Sequence, residues 1–354
     1  MKPAEHARAR PLTRPLVLLF AFVLVFVAEN VPAGGAEETE PPPPAVTILV
    51  AYGGAPDAEA NTAHRLASRL KRGVTERLGP QVSVELYPEG RLGPATDRLG
   101  AEVDRNVVEI ISVAELAEAF PPLEAARIPF LFSDLEAAQS FFDSSDFVAR
   151  AGDVLSERLG AELYSATVSG GPRAFTTTGR MLRTPADFEG LGLLVGSASE
   201  AATVDAFDAR GEVATAEVAA ELIPGGEADG WIATAEEIAS LGLGEELRFR
   251  TDLAVSYPAL FVLGYDSGLS ALEPEQREAV REAARDAARA VSAAVSDNAS
   301  EAEEALRAGG VEFYRPSAAE AELFARLGQA AYIDSIEKSV SLEWIMLALE
   351  QSSD

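Results

Sequence analysis

The stretch from residue 171 to 233 constrains the fold more than any other part of the chain. From Ala174 to Thr178 apolar and polar residues alternate, with the period of a half-buried strand. Thr184 and Pro185 then match an N-cap and a first helical position. Asp187 falls in the positively polarised first turn, and Gly190 fits the helix C-terminus. Leu191 to Val195 reads as a buried strand stopped by Gly196 and Ser197. Asp229-Gly230 marks a turn before another apolar segment, and Glu236 and Glu237 open a new helix. This strand–helix–strand–helix–strand succession predicts an α/β domain whose strand ends face a ligand.

The remaining chain extends the pattern. At 354 residues it is long enough for two lobes and a leader, at about 100–200 residues per domain. Residues 1–33 read as a secretory signal peptide: basic residues end at Arg14, Leu16 to Ala28 is apolar, and Val31-Pro32-Ala33 offers a cleavage site. That apolar run is shorter than the roughly 20 residues a membrane-spanning helix needs. An acidic, Pro-rich linker follows over 34–45. Strands are expected at Val46–Tyr52, Val82–Tyr87, Val107–Val113 and Ala161–Val168, the last leading into the second lobe. A helix across His64 to Arg77 places Leu66, Leu70 and Val74 on one face, with His64 on its flank as a surface residue. Two helical pieces are expected between Leu135 and Leu159, and another around Ala201 to Ala209. Leu253 to Leu263 alternates as a strand returning to the first lobe. A long Ala-rich helix then runs to about Ala308 from a first turn containing Pro274. Further helices are expected over Ala318–Lys338 and Leu342–Leu349, the last carrying Trp344 to cover the core or pair two copies.

Charge and composition remove whole classes of function. The formal net charge is −28. Loss of the leader takes four basic residues (Lys2, Arg8, Arg10, Arg14) and two acidic ones (Glu5, Glu29), leaving 25 against 55 and a net −30. Such a chain is repelled by nucleic acid and by anionic membranes. There is no cysteine, and of the two histidines His6 lies in the leader. Thiolate chemistry, a histidine triad and a multi-histidine metal site are thereby removed. No phosphate loop or Gly-x-Ser-x-Gly elbow is present. Asp and Glu are so abundant that a paired-carboxylate site stays open, though no residue singles one out, and no enzyme, cofactor or metal site is read from the chain.

Several motifs resemble the extracytoplasmic solute receptors of TRAP transporters, the DctP-type family. They are Tyr87-Pro88-Glu89-Gly90-Arg91-Leu92-Gly93, Ile128-Pro129-Phe130-Leu131-Phe132, Gly171-Pro172-Arg173, Pro185-Ala186-Asp187-Phe188-Glu189-Gly190-Leu191 with Val195, and Asp229-Gly230. The resemblance spans roughly residues 46–335. It implies a two-lobe periplasmic-binding-protein-like fold with hinge strands and a long bracing C-terminal helix. Lobe I is expected over 46–167 plus 253–272, lobe II over 168–252, and bracing helices over 273–354. It also implies a periplasmic receptor that captures a small organic solute between its lobes and passes it to membrane permease subunits.

The resemblance fails where the family binds its ligand. The family's carboxylate-clamping Arg falls at Leu194, and its Glu-Asn after Asp-Gly falls at Ile232 and Ala233. Arg173 remains at the Gly-x-Arg position, and a guanidinium fork suits a carboxylate. Glu217 is retained from a family segment whose aromatic residue is missing. Trp231 offers a stacking surface. Tyr52, Glu115 and Tyr257 are candidates because they are expected at strand ends of the first lobe. The solute is thus a carboxylate held by Arg173 or something more apolar than usual. The alternative is a receptor-derived sensor or protein-interaction module that no longer delivers solute, with the apolar C-terminal helix as a route to a homodimer.

Overall fold

The computed structural model describes residues 46–265 and 269–352. The expected leader and the Pro-rich linker lie outside them. β1 (Val46–Tyr52) leads into α1 (Thr62–Leu78), then β2 (Val82–Tyr87), β3 (Val107–Ser112) and α2 (Val113–Ala119). α3 (Leu135–Ser144) and α4 (Asp146–Leu159) precede β4 (Ala161–Val168). Then come β5 (Ala174–Thr177), β6 (Gly192–Val195), α5 (Ala198–Asp205), β7 (Arg210–Val213), α6 (Ala216–Leu222), β8 (Gly230–Ala233), α7 (Ala235–Ser240) and β9 (Phe249–Thr251). β10 (Ala259–Tyr265), α8 (Pro274–Ala308), β11 (Glu312–Tyr314), α9 (Ala318–Ile336) and α10 (Leu342–Gln351) complete the order.

Two sheets result. The first has strand order β2-β1-β3-β10-β4; β1 runs parallel to β2 and β3, and β10 runs antiparallel to β3 and β4. Strand alternation sends Ile48, Val50 and Tyr52 to a face covered by α1 and α8. Ala51, Ile111 and Phe261 face the opposite side, with α3, α4 and α10. The second sheet has order β11-β9-β5-β8-β6-β7. Leu194, Trp231 and Ala233 pack with Ile223 of α6, Ile238 of α7 and Leu306 at the far end of α8. Phe175, Leu193, Val195 and Ile232 share the other face with Phe207 and with Phe324 of α9. Both sheets are therefore helix-covered on both faces, the two-lobe arrangement expected of a periplasmic-binding-protein-like fold.

Two segments cross side by side between the sheets: residues 169–173 between β4 and β5, and 252–258 between β9 and β10. Ser169 donates its backbone N–H to the Pro258 carbonyl at 2.8 Å, Arg173 N–H to Ser256 O at 2.9 Å, and Val255 N–H to Arg173 O at 2.8 Å. The sequence pattern predicts a continuous strand from Leu253. In the structure β10 begins at Ala259, and Arg173–Ser256 is an isolated antiparallel bridge. Pro258 has no N–H to continue a ladder, which accounts for the interruption.

α8 braces this junction. At 35 residues it is about 52 Å long. Pro274 stands in its first turn, and the Glu273 N–H donates to Gln276 Oε1 at 3.0 Å. Its inward face is small: Ala283, Ala284, Ala287 and Ala288 let α1 lie close, and a Cβ added at Gly73 would sit 3.1 Å from Ala283 Cβ. Val280 through Val291 serve the first sheet, whereas Leu306 serves the second. α9 also joins the two, through Phe324 at one end and Tyr332 and Ile336 at the other. In α10, Trp344 packs edge-on against Phe120 and Phe147, covering the core of its own chain.

Candidate functional site

A cleft of about 510 Å³ opens between the loop after β1 and the helix after β8. The crossing residues Ser169, Gly170 and Pro258 line it, with Val295, Asn298 and Glu301 of α8. It lies beyond the carboxyl ends of parallel strands β1 and β8, where α/β sheets take ligands. Its volume falls within the roughly 300–1,000 Å³ of small-molecule sites.

Each wall is fixed by local hydrogen bonding. On the first-sheet side Asn61 caps α1, its Oδ1 accepting from Ala63 N–H at 3.0 Å and His64 N–H at 3.4 Å. Its Nδ2 donates to the carbonyls of Gly53 at 3.0 Å and Ala55 at 2.8 Å, folding the loop back on itself. Arg65 Nη1 donates to Ala58 O at 3.1 Å and Glu59 O at 2.9 Å, and Nη2 donates to Thr62 Oγ1. Burial lowers the Arg65 pKa, against an opposing pull from Glu236.

On the second-sheet side Thr234 and Glu237 form a capping box: Thr234 N–H donates to Glu237 Oε2 at 2.8 Å, and Glu237 N–H to Thr234 Oγ1 at 3.1 Å. Glu236 Oε1 accepts the Gly171 N–H at 2.8 Å, while its Oε2 is buried without a hydrogen-bond partner. Among the described residues, four carboxylates line the cleft (Glu59, Glu236, Glu237, Glu301) against one guanidinium, Arg65.

Arg173 stands just behind this wall. Its Nη2 donates to Ile232 O at 2.5 Å and lies 4.0 Å from Glu200 Oε2; its Nη1 is 3.5 Å from Glu237 Oε1, and its Nε has no partner. Glu200 in turn accepts the Gly196 N–H at 2.7 Å. The guanidinium therefore sits at the ends of β6 and β8, between two carboxylates of the first turns of α5 and α7.

The other predicted site residues are dispersed. Leu194, Trp231 and Ala233 alternate onto the packed face of the second sheet, each at most 2% exposed. Glu217 is exposed in the first turn of α6, its carboxyl held below its ordinary pKa by the Thr215 side chain and its own backbone N–H. Tyr52 is buried at the end of β1, with its hydroxyl 2.5 Å from His64 Nδ1. His64 is thus half-buried and hydrogen-bonded, where the sequence pattern predicts a surface residue. Glu115 receives no cleft position; it lies in the first turn of α2, partly buried, and desolvation raises its pKa. Tyr257, in the crossing segment, packs against Phe132 at 6.2 Å, and burial raises its pKa well above the ordinary range. None of the eight lines the cleft; Arg173 reaches its wall through Glu237.

Arg250 was not legible as a functional or structural residue. It is fully buried on β9 and donates from Nη1 to Thr176 Oγ1 at 2.9 Å and Ala233 O at 3.0 Å, and from Nη2 to Pro172 O at 2.9 Å. One side chain thereby ties β5, the end of β8 and the crossing segment. It sits beside Arg248 and Phe249 with no local signal that marks it as buried.

A family profile described as bacterial extracellular solute-binding protein, family 7 (DctP) matches residues 54–339. Among curated proteins none matches the sequence. Solved structures share the fold. A TRAP periplasmic solute-binding protein from Ochrobactrum anthropi, with its C-terminus bound in the ligand-binding pocket, superposes with a TM-score of 0.78 at 18% identity, over 88% of this chain and 95% of that one. One from Chromohalobacter salexigens with bound D-glucuronate gives 0.74 at 18% identity over 87% and 99%. One from Shewanella oneidensis with bound succinate gives 0.73 at 19% identity over 88% and 100%.

Proposed function

Because this chain belongs to the bacterial extracellular solute-binding protein family 7 (DctP), we propose that it is the extracytoplasmic receptor of a TRAP-type secondary transporter. It binds a small organic solute in the cleft between the two sheets and presents it to membrane permease subunits. The observation that carries this reading is the pairing of residues 169–173 with 252–258: two extended segments join two helix-covered sheets next to an open cleft. Such a junction absorbs rotation in a few backbone torsions while each sheet moves as a body. Solute selects the closed arrangement in proportion to its preference for it, and the permease reads that arrangement.

The same reading divides the chain into lobe I at 46–167 plus 253–272 and lobe II at 168–252, braced by 273–354. In support, β10 lies in the first sheet, β5 to β9 lie in the second, and α8 spans both; β11, from the bracing segment, completes the second sheet. A leader over residues 1–33 would deliver the protein to the periplasm. Arg173, held between Glu200 and Glu237, backs the wall of the site. The reading is of binding, not catalysis.

Small-angle scattering with and without solute tests it. Addition of a bound solute is expected to reduce the radius of gyration and to raise the melting midpoint, since a ligand bound only by the folded state stabilises it. A solute that raises the midpoint with no compaction would reject the hinge-closing receptor.

A further inference from the structure

We infer that Phe130 is a positioning residue for the two sheets: held on a left-handed backbone, its ring pins a loop of the first core into the second and sets the resting angle of the junction. This rests on the hinged-receptor reading but concerns the protein without solute.

The backbone is the first observation. Phe130 has a φ of 57°, a region that a bulky side chain occupies only at a cost. It follows Pro129 in a turn. A turn with proline first and positive φ second ordinarily takes glycine at that place. Among the described residues the other non-glycines with positive φ, Glu89 and Asp208, are both exposed and polar. Two hydrogen bonds hold Phe130. Its N–H donates to Val255 O, in a crossing segment, at 2.8 Å. Its carbonyl accepts from Gln329 Nε2 of α9 at 3.3 Å.

The ring is the second observation, and it explains why glycine is absent. Ile128, Leu131 and Phe132 are buried in the core of the first sheet, whereas Phe130, between them, packs against the core of the second. Its ring centroid lies 6.4 Å from that of Phe175 on β5. α9 leaves room for it at Gly328, where a Cβ would come within 3.0 Å of Phe130 Cε2 and 2.9 Å of Thr203 Cγ2 on α5. Phe132 meanwhile packs against Tyr257 of the crossing segment at 6.2 Å. One short loop thus touches both cores and the junction between them. Withdrawal of the ring from its slot frees the backbone to return to negative φ. Ring packing and backbone strain oppose each other, as in a two-state element.

Pulsed electron–electron resonance on the full mature protein tests the inference. The chain has no cysteine, so spin labels at Lys71→Cys on α1 and Glu221→Cys on α6, both exposed, report the separation of the two sheets with no solute added. The parent is expected to give one narrow distance. Phe130→Ala removes the ring and keeps the strained torsion. It is expected to shift the ratio of the two arrangements by about 5–150-fold, the scale of one such strain, read as a displaced or second distance. Phe130→Gly removes ring and strain together; it is expected to show the same change in a chain at least as stable as Phe130→Ala, which keeps the test open if that variant folds poorly. Gly328→Ala fills the slot from the opposite side and is expected to reproduce the change with Phe130 intact. Phe130→Leu keeps an apolar plug and should retain the parent distance. Loss of stability in these variants with the single parent distance retained would make Phe130 an ordinary core contact and overturn the inference. A broad distribution in the parent would overturn it too, because no resting angle would then be held. Neither outcome touches the receptor reading, which stands or falls on compaction by a solute.

Discussion

Gly171 donates its backbone N–H to Glu236 Oε1 at 2.8 Å, so the first turn of α7 is tied directly to the segment that crosses between the sheets. The link puts a wall of the cleft and a hinge residue in one hydrogen bond. It also accounts for the residue type. A Cβ at position 171 would lie 2.7 Å from Ala299 Cβ on α8 and 3.2 Å from Glu236 Oε2. The crossing segment can lie against the bracing helix only because nothing projects there.

Gly171→Ala is accordingly expected to destabilise the protein by about 1–3 kcal/mol, the usual cost of overpacking. Urea unfolding measures it. A midpoint equal to that of the parent would show that α8 moves away freely and does not hold the junction.

Arg250 predicts a second, larger effect. Three acceptors depend on its guanidinium: Thr176 Oγ1, Ala233 O and Pro172 O. Arg250→Leu leaves them in a dry interior, and each orphaned acceptor costs about 1–3 kcal/mol. A loss of several kcal/mol in chemical denaturation is expected. Arg250→Lys should recover only part, because an ammonium lacks the planar fork that reaches three separate oxygens. Full recovery by Lys would mean that charge, and not geometry, is what the site requires.

These two residues show what the sequence could and could not reveal. Local signals were readable: Thr184 is the N-cap and Pro185 the start of a short helical turn with Asp187 in it, and Pro274 stands in the first turn of α8. The apolar run from Leu191 to Val195 also marked a buried strand, observed as Gly192–Val195. The charge environment of Arg173 was not readable, because its partners Glu200 and Glu237 come from distant helix starts in a chain with 57 acidic residues. Nor was the cleft, whose lining is assembled from residues 59–65, 234–240 and 295–302. Glu236 and Glu237 read locally as helix-opening acids, which they are; only the tertiary fold turns them toward a cavity.

A pH dependence follows from Glu109 on β3. It is 3% exposed, with its Oε2 accepting from Arg98 Nε at 2.8 Å and Nη2 at 2.5 Å. Burial pushes its pKa up to about 7 even though Arg98 pulls the other way. A carboxyl with a raised folded-state pKa holds its proton in the native state after the unfolded chain has released it, so stability falls as pH rises between the two values. Relative to Glu109→Gln, the parent should lose on the order of 3 kcal/mol between about pH 4.5 and 7, and little beyond. Urea unfolding of both proteins across that window cancels the groups they share. A constant difference would show that Arg98 keeps Glu109 ionised throughout.

Arg173 supplies the sharpest test of the cleft's sign. Its Nη1 is 3.5 Å from Glu237 Oε1, and Glu237 also lines the cleft. The guanidinium therefore weakens the field that Glu237 presents to a solute. Arg173→Gln is expected to weaken binding of an acidic solute by about tenfold or more, the scale of one charge-assisted bond. The loss of the Ile232 carbonyl bond and of the cation facing buried Glu200 should lower stability, since a buried charge without its partner is costly. Affinity for an acidic solute and stability are thus expected to fall together. Calorimetry and urea unfolding of the one variant measure both. An unchanged affinity for an acidic solute would leave Arg173 a structural partner of Glu200 and Glu237 only.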